Sequence, residues 1–195
     1  HHKIAINPRH ITLPEWLAAA ILPAAAALVI FLAVSLLPLQ RSPANALTDV
    51  LPLLLLWAPL GALGEEIGWR GYLQKRLNLR LNGLVSSLLV GLLWMPIHVH
   101  FFSHGLLIVL LLAIVILSYS IILYAIVNRS GFNILLAAVF HLSINLTNFL
   151  FIDVIYDPVF MAVNALVWAY MAAFTIFRHR KAFLILPSSE RSVAH

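Results

Sequence analysis

Long apolar runs alternate with short polar breaks along almost the whole chain. The runs cover roughly residues 15–38, 47–66, 83–102, 105–127, 133–152 and 158–177. Each is close to the ~20 residues that a helix needs to cross a hydrocarbon layer. The breaks fall at Gln40-Arg41-Ser42-Pro43, Lys75 to Asn82, Phe102-Ser103-His104-Gly105, Asn128-Arg129-Ser130-Gly131 and Asp153 to Pro158. Lipid offers no hydrogen bonds to a backbone, so an apolar run of this length predicts a helix. The expected architecture is an all-α membrane protein, a bundle of about six transmembrane helices in one domain over residues 1–195. Polar termini are expected at 1–13 and 178–195, with the tail from Arg178 frayed.

Composition agrees with that pattern. The apolar fraction is 63% and the mean hydropathy +0.99, whereas soluble domains run about 45–50% apolar. Cysteine is absent, so the chain has no disulfide framework. The opening His1-His2 reads as a tag remnant or a truncated start, and the first apolar run is too long for a signal peptide. A net charge of +5 could point to nucleic acid. Here the basic residues sit at helix ends, where membrane topology accounts for them. With the N-terminus in the cytoplasm and six crossings, Lys3, Arg9, Arg70, Lys75, Arg76, Arg80, Arg129, Arg178, Arg180, Lys181 and Arg191 fall on the cytoplasmic side, and only Arg41 falls outside. Both termini are therefore expected in the cytoplasm, and the shortness of the chain suggests the inner membrane of a bacterial or archaeal cell.

Ionisable residues within apolar spans are costly, which makes each one a functional candidate. Glu65 and Glu66 end a very apolar run. On a helix Glu66 and Arg70 are i,i+4 neighbours and can pair, while Glu65 points about 100° away and is free of that partner. The two acids could also simply mark a helix end at the interface. In Trp94-Met95-Pro96-Ile97-His98, Pro96 removes a helix hydrogen bond, so His98 lies beside a kink and can face a cavity. His141 and Asn145 share one face of the fifth predicted helix. They could equally form a polar clasp between helices, and Asn148 fits either use. His100 and His104 read as interfacial histidines. Ser143 faces away from His141 and Asn145, and Asp153 and Asp157 lie beyond the span, so neither a serine nucleophile nor an aspartyl pair fits.

Depth allows the three groups to meet. From a cytoplasmic boundary near Leu79 to Leu81, Glu65 and His98 each lie about 20–25 Å along their helices, and His141 lies about 18 Å from Arg129. Glu65 reaches that depth only if the second helix runs on past Glu66, with Arg70 to Arg76 lining a cytoplasm-facing mouth.

Together these residues resemble the CAAX protease and bacteriocin-processing family, also called the type II CAAX prenyl endopeptidase-like or Abi family. Its pattern is Glu-Glu-x-x-x-Arg, an aromatic-x-x-x-His, then His-x-x-x-Asn. It is matched in order by Glu65, Glu66 and Arg70, by Trp94 and His98, and by His141 and Asn145, over about residues 50–150. Trp94 stands where Phe is usual. The resemblance implies a helical bundle around a cytoplasm-facing catalytic cavity and peptide-bond hydrolysis without a covalent intermediate or cofactor. Glu65 would be the general base, His98 would help to bind and activate the water, and His141 and Asn145 would stabilise the oxyanion. Glu66 and Arg70 would support Glu65. Expected partners are a peptide or membrane-protein substrate and the lipid bilayer, with no nucleic acid.

Two alternatives stay open. Glu65, His98 and His141 could be the protein ligands of an open zinc site, although the compact His-Glu-x-x-His pair is missing. A non-catalytic scaffold, immunity factor or transporter could use the same polar residues for packing. No paired half-helices of the transporter kind are apparent.

Overall fold

The structure is a computed structural model that describes residues 11–40 and 47–186. His1, His2, Lys3, Arg9, Arg41 and Arg191 lie outside the described residues. Among those described, the chain is helical with no strand. It runs through α1 (Leu13–Val34), α2 (Leu47–Glu66), a π-helical stretch (Ile67–Gln74), a last turn α3 (Lys75–Leu77), α4 (Gly83–Trp94) and a 3-10 stretch (Met95–His104). It then continues through α5 (Leu106–Arg129), α6 (Ile134–Phe149), α7 (Pro158–Arg178) and a short α8 (Arg180–Leu184).

Among the described residues, 4 helical rods are long and apolar enough to cross a membrane: Leu13–Val34, Gly83–His104, Leu106–Arg129 and Pro158–Arg178. Ile134–Phe149 is apolar but shorter. α1 ends at Val34 rather than at residue 38, because Pro38 disfavours helical geometry in the residue before it. The predicted run 133–152 likewise shortens, since Asn133 caps α6 at one end and the chain passes into turns after Phe149.

The exterior is apolar. Leu28, Phe31, Leu32, Leu55, Leu92, Leu106, Leu166, Phe174 and Phe177 are all exposed. A surface of that kind on a helical bundle is a lipid-facing surface. α5 is the central rod: 56% of its apolar window is buried, against 33% for each of the other three long rods. It packs on α4, on α7 and on the 3-10 stretch, while α6 packs on α1 and α2.

Polar groups tie these rods at chosen points, as expected where apolar burial cannot favour one helix contact over another. Ser120 Oγ on α5 donates to the Ser87 carbonyl of α4 at 2.8 Å. Gln74 Nε2 donates to Ser86 Oγ at 2.8 Å, pinning the π-helical stretch to α4. Ser143 Oγ donates to the Ala20 carbonyl of α1 at 2.6 Å. Asp157 caps α7 by accepting from Val159 and Phe160 N–H, and its other oxygen accepts from Gln40 N–H at 2.7 Å. The segment that follows α1 is thereby fastened to the start of α7.

The chain after Arg178 does not begin to fray there. α8 folds back so that Phe183 is fully buried against Tyr124, with ring centroids 5.1 Å apart. The Tyr124 hydroxyl donates to the Ala182 carbonyl at 3.1 Å. One buried aromatic anchor outweighs the polar character of Arg180 and Lys181, which sequence polarity alone could not show; residues 187–195 lie outside the described part. Gly83 makes room for this arrangement, because a Cβ there would overlap the Tyr124 ring. Gly83→Ala should therefore lower stability by about 1–3 kcal/mol and loosen α8. The check is limited trypsin digestion at Arg180 and Lys181, which should be faster than in wild type; an unchanged rate would mean that the ring does not hold the tail.

Candidate active site

The rod that begins as α2 does not stop at its two acids. It continues through the π-helical stretch and α3 to Leu77, as the depth of Glu65 requires. π-helical segments within longer helices often occur at functional sites. Here the stretch carries Arg70, which is fully buried.

Glu66 is also fully buried. Its Oε1 accepts from Arg70 Nη1 at 2.9 Å and faces His141 Nδ1 at 2.9 Å. The Arg70 pair was expected. The sharing of the same oxygen with His141 was not: it joins Glu66 to α6 across the bundle. The Nδ1 contact leaves Nε2 as the ring nitrogen of His141 free for chemistry.

Glu65 is half-buried on the neighbouring face. Its Oε2 accepts from Trp94 Nε1 at 2.6 Å, a short charge-assisted bond. Trp94 is buried at the end of α4 and lies among the other candidates. Its ring centroid is 5.0 Å from that of His141 and 6.0 Å from that of His98, both edge-on. The Arg70 guanidinium lies 4.7 Å from the same ring, within cation–π range.

His98 occupies the break that Pro96 introduces. The backbone there leaves helical geometry, with φ −95° and ψ 37°. Its Nδ1 is 3.4 Å from the Trp94 carbonyl, and the ring lies within electrostatic reach of both Glu65 and His141. Glu65, Glu66, Arg70, Trp94, His98 and His141 are thus brought together. Asn145 sits one turn beyond His141, half-buried, and makes no hydrogen bond to them.

The remaining polar residues are used elsewhere. Ser143 is turned to α1. His104 stacks on Tyr156 with centroids 3.7 Å apart, and His100 packs on Phe101 at 4.6 Å. Among the described residues, no group of three or more His, Cys, Asp or Glu side chains is arranged to hold a metal ion.

The family described as Type II CAAX prenyl endopeptidase Rce1-like matches residues 47–147, just over half of the chain. The chain belongs to this family. The matched stretch contains every candidate residue from Glu65 to Asn145 and leaves out α1 and α7. No curated protein matches the chain. Membership in the type II CAAX endopeptidase family, together with the apolar rods, makes it an integral membrane protein of the protease class. What sequence reasoning missed is the indole N–H of Trp94. The only signal for it was a Trp where the family usually carries Phe.

Proposed function

We propose that the protein is a metal-independent intramembrane endopeptidase in which Glu65 activates a water molecule. The observation that carries this is the gathering of a carboxylate and two imidazoles, from three separate rods, around one buried indole ring. Glu65, through the carboxylate oxygen not bonded to Trp94, takes a proton from water while His98 holds that water. The hydroxide attacks the carbonyl carbon of the scissile peptide bond, and its π electrons move to oxygen. Asn145 Nδ2 and His141 Nε2 donate to that oxyanion, contacts typically worth about 2.7–4 kcal/mol each. With Nδ1 donating to Glu66, His141 can also donate from Nε2 only when the ring carries both protons. The intermediate collapses with cleavage of the C–N bond, and the proton held by Glu65 passes to the leaving nitrogen.

In the membrane we place six crossings, both termini and the mouth of the cavity on the cytoplasmic side of a bacterial or archaeal plasma membrane. The distribution of basic residues supports this orientation. The family name supports a substrate with a C-terminal CAAX sequence; leader peptides or the tails of membrane proteins are chemically equivalent targets.

A zinc mechanism has one observation in its favour: a carboxylate on the far nitrogen of a histidine, as in Glu66–His141, is how metal-binding histidines are often oriented. Against it, the described acids and histidines do not group as a ligand set. The deciding test is cleavage of a farnesylated, fluorescence-quenched CAAX peptide by purified protein, with and without 1,10-phenanthroline. We expect unchanged turnover. A loss that added zinc restores would replace the glutamate mechanism by the metal one.

A further inference from the structure

We propose that Trp94 is a positioning residue for Glu65: its indole N–H holds one carboxylate oxygen so that only the other is presented to water. This rests on Glu65 being the base.

Such an anchor matters to Glu65 because small residues dominate its own face of the helix. Of the four positions flanking it on the same face, Gly61 and Gly68 have no side chain and Ala62 has only a methyl, leaving Trp69 as the one large neighbour; a Cβ built at Gly61, Gly68 or the adjacent Gly64 would meet nothing within 4 Å. A glutamate side chain has three torsions and loses about 1.5–2 kcal/mol of rotamer freedom when ordered. The three glycines leave that side chain room to move on one side, so a hydrogen bond is what fixes its direction.

Trp94 supplies what the glycines do not. Its ring is 2% exposed, so it has little freedom of its own. Arg70 covers it at 4.7 Å, and Arg70 is in turn held by Glu66. The donor therefore belongs to the rigid part of the site, and the 2.6 Å bond transmits that rigidity to Glu65. The same ring lies edge-on to His98 and His141, so one side chain sets the spacing between the base and both imidazoles. A phenylalanine at this position would keep the edge contacts and lose the anchor. The tryptophan thus links two features that sequence spacing treats separately, the acidic pair and the histidine motif.

Two substitutions separate the N–H from the ring. Trp94→Phe removes the donor and some volume. Benzothienylalanine introduced at position 94 keeps the bicyclic shape and removes the N–H alone, which guards against loss of fold. With the farnesylated CAAX peptide, both should lower kcat about 10–100-fold with KM unchanged, because the bond orders the base and does not touch substrate.

An independent readout is the indole region of a spectrum with ¹⁵N-labelled tryptophan, which holds five signals, one for each Trp. The Trp94 signal, assigned by its loss in Trp94→Phe, should lie furthest downfield and move upfield in Glu65→Gln, where an amide oxygen replaces the carboxylate. A signal that stays in place in Glu65→Gln overturns the bond. A benzothienylalanine variant with wild-type kcat overturns the positioning role even if the bond exists. Wild-type protein that cleaves no peptide at all sinks the hydrolase reading and the positioning role with it, while the indole signal still judges the bond alone.

Discussion

Glu65→Gln is expected to lower peptide cleavage by about 10²–10⁴-fold, the usual range for removing a general base, while the protein remains folded. The two side chains have nearly the same shape, and the amide oxygen of Gln can still accept from Trp94 Nε1. Glu65 is half-buried and takes no part in the Glu66–Arg70 ion pair, so no buried charge is stranded. What disappears is the ability to take a proton from water. The readouts are turnover of the farnesylated CAAX peptide and, in cells, a proteomic comparison of protein termini in wild-type and Glu65→Gln strains. Termini that vanish in the variant identify the natural substrates. Full function of Glu65→Gln in cells would mean that the chain acts as a scaffold and that its polar cluster serves packing.

Glu66→Ala is expected to fail differently, by loss of stability of about 3–5 kcal/mol. Glu66 and Arg70 are both fully buried, and one carboxylate oxygen serves Arg70 and His141 together. Its removal leaves a buried guanidinium without its hydrogen-bonded counter-charge, and Glu65 on the neighbouring face compensates only from a distance. The measurement is thermal unfolding in detergent, where the midpoint should fall well below that of wild type. The double variant Glu66→Leu, Arg70→Met tests the cause. Replacing both members of a buried pair by apolar groups is often neutral or stabilising, so it should recover the midpoint. It should not recover cleavage, because His141 Nδ1 has lost its partner and the ring is free to turn. Glu66→Ala protein that unfolds at the wild-type temperature would show that the pair is not what holds these rods together.

The contrast between the two acids is the central physical feature of the site. They are adjacent in sequence, yet one is enclosed and hydrogen-bonded to Arg70 and His141, while the other is half-buried and accepts its hydrogen bond from a neutral indole N–H. Helical geometry separates their directions by about 100°. That angle places two like residues in different surroundings, and the proposed division of roles between them rests on it.

Much of this was written in the local pattern. Runs of about 20 apolar residues can satisfy their backbone in lipid only as helices, so the rods and the membrane setting followed without reference to any contact. The i,i+4 spacing of Glu66 and Arg70 likewise announced their pair, since both partners lie on one helix. Family membership was legible in three short motifs for the same reason: each is a local spacing on one rod.

Contacts between rods were not legible, because spacing along a helix says nothing about which neighbour a face meets. The Glu66–His141 bond joins residues 75 positions apart, and the Trp94–Glu65 bond joins residues 29 apart. Phe183, read as part of a polar tail, becomes a buried anchor only once α4 and α5 offer it a site. Ser143 could be excluded as a nucleophile from its face, but its use as a clasp on α1 depended on how α6 packs. The local pattern thus marked which segments are helices and which residues are costly to bury, because both depend on neighbours along the chain, while the crossing of the rods decided which of those residues meet, because that depends on faces far apart in sequence.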